Sequence, residues 1–159
     1  MRHGSGRLAE PAADQADTIP VMDSIDRAVN MTALFSRAPL PQHLGMTLRF
    51  DNDLLAIVEV PHAGFLDHGL GQVHGGIFAT LIDNAAWFTT AVHYDTWIST
   101  VDFNVRLLEP VEGEGLAATG SVVRLGKRLA AADAEVRTAA GRLVAVGGGT
   151  FAVTGVPYS

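Results

Sequence analysis

The residues best equipped for chemistry lie together in Gly71-Gln72-Val73-His74-Gly75-Gly76 and in the apolar run that follows, which carries one acid, Asp83. From Ile77 to Val92 apolar side chains fall on nearly every side of a helix: Ile77, Phe78, Leu81, Ile82, Ala85, Ala86, Phe88 and Val92. A helix that is apolar all round belongs in a core, and an unpaired charge there is costly. At 3.6 residues per turn Gly76, Thr80, Asp83, Trp87 and Thr90 share one stripe, a polar seam with an aromatic wall. The first amides of such a helix lack intrahelical acceptors and carry the positive end of its dipole. Gly75 and Gly76 have no side chains to block a ligand's approach to those amides. A polarised carbonyl could sit at Gly75 with Asp83 two turns along. The plainer alternative is a glycine turn, a capped helix and a salt-bridged aspartate. The two features together on one buried helix favour a site, since buried charge in a cleft marks function.

The rest of the chain must position this helix. Asp23 to Arg37 reads as a first helix, with Ile25, Val29, Leu34 and Phe35 as a partial apolar stripe and Asp23 or Ser24 as its cap. Ala38-Pro39-Leu40-Pro41 is expected to stop it. Gly45 to Phe50 and Leu54 to Val60 read as strands joined at the turn Asp51-Asn52-Asp53. Pro61 to Gln72 is a loop carrying His62, Asp67 and His68, and the central helix then runs to about His93. Ile98 to Leu108 alternates, with Val101, Phe103, Val105 and Leu107 on one face and Thr100, Asp102, Asn104 and Arg106 on the other. Leu116 to Leu125, Leu129 to Thr138 and Leu143 to Val153 complete the strands, with turns at Gly126-Lys127 and Ala140-Gly141. Gly147-Gly148-Gly149 inside a strand marks a bulge or a closely pressed backbone, where the sheet bends around the helix. One long helix among strands is α+β, an antiparallel sheet curled around a single helix.

His74-Gly75-Gly76, six further residues and then Asp83, preceded by Gly71-x-Val73, resembles the signature of hotdog-fold acyl-CoA thioesterases of the PaaI and 4-hydroxybenzoyl-CoA thioesterase type. The resemblance continues in Leu44-Gly45-Met46, which looks like the family's first strand, and in Ser99-Thr100-Val101-Asp102-Phe103-Asn104-Val105. Val122-Val123-Arg124-Leu125-Gly126-Lys127-Arg128 and Gly141-Arg142-Leu143-Val144-Ala145 extend it, so that it covers about Leu40 to Val153. It implies the hotdog fold, dimers built edge to edge and often doubled to tetramers, and hydrolysis of an acyl-CoA to a free acid and coenzyme A.

Thioester hydrolysis needs attack on a carbonyl, stabilisation of the oxyanion and an activated water or protein nucleophile. Asp83 is the candidate base or nucleophile and the Gly75 amide the candidate oxyanion donor. Thr100 aligns with the family's hydroxyl beside the carboxylate; otherwise it is an ordinary β-branched strand residue. His74 either contacts the substrate or shapes the turn. His68 is a departure, because relatives typically carry Asn or Gln there to orient the nucleophile or substrate, and an imidazole can donate or accept one hydrogen bond. Gly76, Gly126 and the basic cluster Arg124, Lys127 and Arg128 are expected at the coenzyme A moiety, the bases at its phosphates. The alternative for that cluster is a solvated hairpin tip. Trp87 is expected at the acyl pocket, while Phe88 reads as core. By the family's geometry, Asp83 and Thr100 would come from one protomer and His68, His74 and Gly75 from its partner. His62, His68, His74 and Asp67 match no familiar ligand spacing, so no metal is expected, and no cofactor beyond the substrate's own coenzyme A. The rivals are an acyl-CoA-binding module without turnover and an acyl-CoA dehydratase or hydratase on the same fold.

Composition sets the bounds. A 159-residue chain suggests one domain, able to bury roughly 68–70% of its unfolded surface. Residues 1–22 read as a flexible tail, rich in Ala, Gly, Pro and Asp, and residues 23–159 as the domain. The chain has no cysteine, hence no disulfide framework. Its apolar runs are too short for a bilayer, and its first twenty residues lack the apolar core of a secretory signal. These features fit a cytoplasmic protein. A net charge of −6 argues against nucleic acid as a partner. Residues 1–97 hold 11 acidic and 5 basic side chains, and residues 98–159 hold 6 of each, so the basic cluster can offer an anion a positive site on an acidic protein.

Overall fold

A computed structural model of the chain describes residues 23–158; the expected tail, residues 1–22, lies outside the described residues. Two helices come first, α1 (Ser24–Arg37) and α2 (Pro39–Leu44). Asp23 caps α1, its carboxylate accepting the amides of Ile25 and Asp26, as Asp does at an N-cap. Helix α1 stops at Ala38 as expected, but Pro39 then opens α2 instead of ending all helix. Proline is well suited to a first helical position because its missing N–H is not needed there. The segment Leu44-Gly45-Met46 is therefore not strand. Leu44 closes α2 and Gly45 is its left-handed cap at φ 67°.

The strands are β1 (Thr47–Phe50), β2 (Ala56–Val60), β3 (Thr96–Leu107), β4 (Leu116–Leu125), β5 (Leu129–Thr138) and β6 (Leu143–Pro157). They form one antiparallel sheet in the order β1-β2-β4-β5-β6-β3. Strand β2 begins later than its apolar run suggests. Leu54 sits in the turn with φ 62°, and Asp51 Oδ1 accepts the amides of Asp53 and Leu55. The central helix is α3 (Gly75–Ala91), and it packs on the concave face of the sheet.

The packing explains the sequence. The sheet offers α3 a face of small residues, Ala118, Ala132, Ala134 and Ala145, all buried. Small residues let the helix approach closely, so Leu81, Ile82 and Ala85 are wholly buried. Gly147 is part of this contact, for a side chain there would strike the Asn104 carbonyl and crowd Ile82. Pairing of residues 147–149 with both neighbouring strands is unbroken, so the glycine triplet marks close approach and not a bulge.

The sheet has register shifts elsewhere, and the one that bears on the candidate residues lies in β3. Thr100 pairs with Phe151 but Asp102 pairs with Thr150, so Val101 is an extra residue. Directly opposed residues share a face of the sheet, and Phe151 is buried beneath α3. Thr100 therefore faces the helix, while Asp102, Asn104 and Arg106 face away. Strict alternation placed Thr100 with those three; the inserted residue reverses it.

Candidate active site

Two groups of candidate residues emerge on the two halves of α3. The first is Asp83 with Thr100. Asp83 lies mid-helix, half-buried, and the Thr100 hydroxyl donates to its Oδ1 at 3.0 Å. Burial pushes the Asp83 carboxyl above its ordinary value of 3.8, and the Thr100 hydrogen bond opposes this in part. Both effects follow from charge: desolvation disfavours the carboxylate, and a donor favours it. No ion pair reaches Asp83 among the described residues. One turn further on, Trp87 is only 8% exposed. Its Nε1–H donates to the Ile98 carbonyl at 3.0 Å, and its ring packs on Trp97 at 4.9 Å. Trp87 thus braces the strand that delivers Thr100. The seam ends at Thr90, which is buried and bonds its own helix at the Ala86 carbonyl.

The second group is the start of α3. His74 is the N-cap, its Nδ1 accepting the Gly76 amide at 2.9 Å, which is the turn-shaping role. A side chain at position 76 would crowd that nitrogen at 3.0 Å. Among the described residues no group accepts the Gly75 amide, which points out of the first turn. His68 and Gly75 line one cavity of ≈ 310 Å³ with Leu107 and Glu109. His68 Nδ1 accepts the Leu70 amide at 3.1 Å. A nitrogen that accepts carries no proton, so the neutral ring keeps its proton on Nε2. His68 can then present an N–H donor, as the amide of Asn or Gln would.

Asp83 and Thr100 do not line that cavity. Asp83 lies eight positions beyond Gly75, about 12 Å along a helix. One carbonyl cannot touch both within one chain. The larger cavities do not join them either. That of ≈ 660 Å³ lies between α1 and β1, and that of ≈ 610 Å³ lies around Trp97 and Tyr158.

Arg124, Lys127 and Arg128 sit at the β4–β5 turn, all exposed. The turn is held from below by Tyr94, whose hydroxyl donates to the Gly126 carbonyl at 2.8 Å. Sequence reasoning missed this clamp, since a lone tyrosine past a helix end carries no pattern. Thr100, Phe151, Ala130 and Leu125 form one row across β3, β6, β5 and β4. Three strand spacings place the basic turn about 14 Å from Thr100. His62 and Asp67 meet each other, but among the described residues no three metal-binding side chains converge.

The fold agrees with that of known proteins. The family profile described as thioesterase superfamily matches residues 70–145, which span the glycine motif, α3 and the strands from β3 to β5. A protein of Halobacterium salinarum, named as a candidate esterase, is 33% identical over 144 residues, covering 82% of this chain and 95% of the relative. The chain belongs to the thioesterase superfamily. Its fold is similar to that of the E. coli PaaI protein from the phenylacetic acid degradation operon, with TM-score 0.78 and 21% identity over 87% of this chain and 100% of that one. It is similar too to a thioesterase from Haemophilus influenzae, with TM-score 0.73 and 22% identity over 80% of this chain and 90% of that one. The architecture is the hotdog fold.

Proposed function

We propose that the protein hydrolyses acyl-CoA thioesters in a site completed by a second copy of the chain. The observation that carries this is the division of α3: a held carboxylate at Asp83 and an unaccepted amide at Gly75, about 12 Å apart. Each is half of a thioesterase site, and family membership supports thioester hydrolysis in general. Strand β3 runs along the open edge of the sheet between the two halves. A two-fold partner paired there would bring Asp83 and Thr100 of one protomer to Gly75 and His68 of the other.

In this arrangement the partner's amide donor at position 75 receives the thioester carbonyl oxygen as charge builds on it. The Asp83 carboxylate either takes a proton from the attacking water or attacks the carbonyl itself. In the first route water adds to the carbonyl, the carbon–sulfur bond breaks and the thiolate takes up the proton that Asp83 accepted. In the second the thiolate leaves from an anhydride with Asp83, takes a proton from water, and water then cleaves the anhydride to the free acid and the Asp83 carboxylate. Thr100 keeps Asp83 ionised and aimed. His68 Nε2–H orients the water or the substrate, and Trp87 stands behind the acyl group. Gly76 and the basic turn at Arg124, Gly126, Lys127 and Arg128 hold the coenzyme A moiety. The dimer doubles to a tetramer, and the protein works in the cytoplasm. No helix among the described residues is long and apolar enough to cross a membrane.

The test is thiol release across a panel of short, long and aryl acyl-CoA substrates, with oligomeric state measured on the same sample. Turnover by a dimer or larger assembly is expected. Tight binding of acyl-CoA with no thiol released would make the protein a binding module instead.

A further inference from the structure

The loop between β2 and α3 contains a polar side-chain contact that the proposed chemistry does not use. His62 Nε2 lies 3.2 and 3.3 Å from the two carboxylate oxygens of Asp67. Their side chains keep 27% and 15% of their surface exposed, so the pair is largely withdrawn from water. We infer that His62 and Asp67 are positioning residues for His68, an inference that rests on the site proposed above.

Residues 67–73 form a small hairpin that carries His68. Asp67 bridges to Val73, the His68 amide donates to the Gln72 carbonyl at 2.8 Å, and the Gly71 amide donates to the His68 carbonyl at 2.9 Å. The later arm is tied to the body through its backbone. The Val73 amide donates to the Val111 carbonyl, two residues ahead of the Gly75 amide. The arm that leads into His68 is held by backbone bonds too, the Asp67 amide to the Gly64 carbonyl and the Leu66 carbonyl to the His74 amide, and it adds a side-chain tether, Asp67 to His62. Asp67 is extended, at φ −86° and ψ 151°, and consecutive side chains of extended backbone point to opposite sides. Drawing Asp67 back onto His62 therefore turns His68 outward, to the cavity it shares with Gly75. An apolar pair would fasten the loop equally well, because desolvation offsets much of what an ion pair gains. What the His–carboxylate contact adds is direction.

The test compares His62→Leu, which removes the donor, with His62→Gln, whose amide N–H can replace it. His62→Leu should lower kcat about tenfold, within the ~10² that a small misplacement of a catalytic group can cost. KM and melting temperature should barely move, and His62→Gln should restore most of the rate. In a His68→Ala background His62→Leu should cost nothing more, because a residue that acts through another is non-additive with it. Equal losses in both backgrounds, or a lower melting temperature with full activity per folded molecule, would overturn the inference. The imidazole NMR signals of His68 provide a readout independent of turnover. They should shift in His62→Leu and stay in place in His62→Gln. A parent protein that releases no thiol would sink the proposed function; an unmoved His68 signal in His62→Leu would sink only the positioning role.

Discussion

The two edges of the sheet are built differently. Strand β1 has four residues, lies under α1 and carries an exposed Arg49–Glu59 pair. Short length, cover and charge are how proteins close an edge against pairing. Strand β3 has twelve residues, with Val101 60%, Phe103 46% and Leu107 54% exposed. A long apolar edge invites another strand. The closed edge carries no candidate catalytic residue, and the open one carries Thr100 and flanks the His68–Gly75 cavity through Leu107. On this contrast the fold closes one edge of its sheet and leaves the other available for the pairing proposed above.

The contrast is most directly broken by placing a charge on each edge in turn. Phe103→Asp on β3 should convert the assembly to monomers and take thiol release to background, since both halves of the site are lost together. Thr47→Lys on β1 should change neither. Sedimentation and activity on the same preparations would decide. A fully active Phe103→Asp monomer would end the shared site.

Within the open side, Asp83→Asn is next in size. A general base contributes about 10²–10⁴ in rate, so kcat should fall by roughly that factor with KM little changed. Stability should move the other way. Burial raises the Asp83 carboxyl above its unfolded value of 3.8. The stability linked to its protonated form is therefore complete below that value and lost as pH rises through the higher folded one. At neutral pH the ionised group is a cost, and Asn removes it. The melting temperature of Asp83→Asn should match or exceed the parent's at pH 7, and its relative advantage should shrink in acid. A destabilised variant with near-parental single-turnover rate would instead make Asp83 a structural residue.

Smaller still is the effect of the basic turn, which lies away from the reacting atoms. Replacing Arg124, Lys127 and Arg128 with Ala should raise KM for acyl-CoA several-fold, roughly what a few exposed charge contacts supply, and leave kcat nearly intact. Contacts to a remote part of the substrate are made alike in ground and transition states. A short thioester without the nucleotide should not register the change. Equal loss on both substrates would show a damaged fold.

Much of this was legible in the sequence, for reasons that differ by residue. Helix α3 was plain because its apolar run is long, and the start of the helix because His74-Gly75-Gly76 is an unusual way to begin one. The antiparallel strands followed from alternation and from turns such as Gly126-Lys127. Leu44-Gly45-Met46 misled, because a short apolar run does not distinguish a helix end from a strand start. Thr100 was assigned to the wrong face, because a bulge is a property of two strands in register, and Val101 looks like any other strand valine. The Tyr94 clamp and the His62–Asp67 contact were hidden for the same reason: each is a meeting of segments, and neither segment announces it.

Thr100 tests the open edge most finely, since the bulge alone brings it to Asp83. Thr100→Val keeps the shape and deletes the hydroxyl. One neutral donor to a carboxylate is worth about 1.5–3 kcal/mol at most, and this one is part-exposed, so kcat should fall only about five- to tenfold. The more telling effect is on pH. The Thr100 hydrogen bond is what lowers an Asp83 carboxyl otherwise raised by burial. Without it the carboxyl rises further, and the acid limb of the rate profile, where activity is lost as Asp83 takes up a proton, should move to higher pH. Thr100→Ser keeps a donor in place and should leave that limb where it was. If Ser shifts it and Val does not, the methyl group and not the hydroxyl matters, and β3 supplies packing to α3 in place of a proton-bearing partner. If only Val shifts it, the extra residue at Val101 is what turns an edge strand into half of an active site.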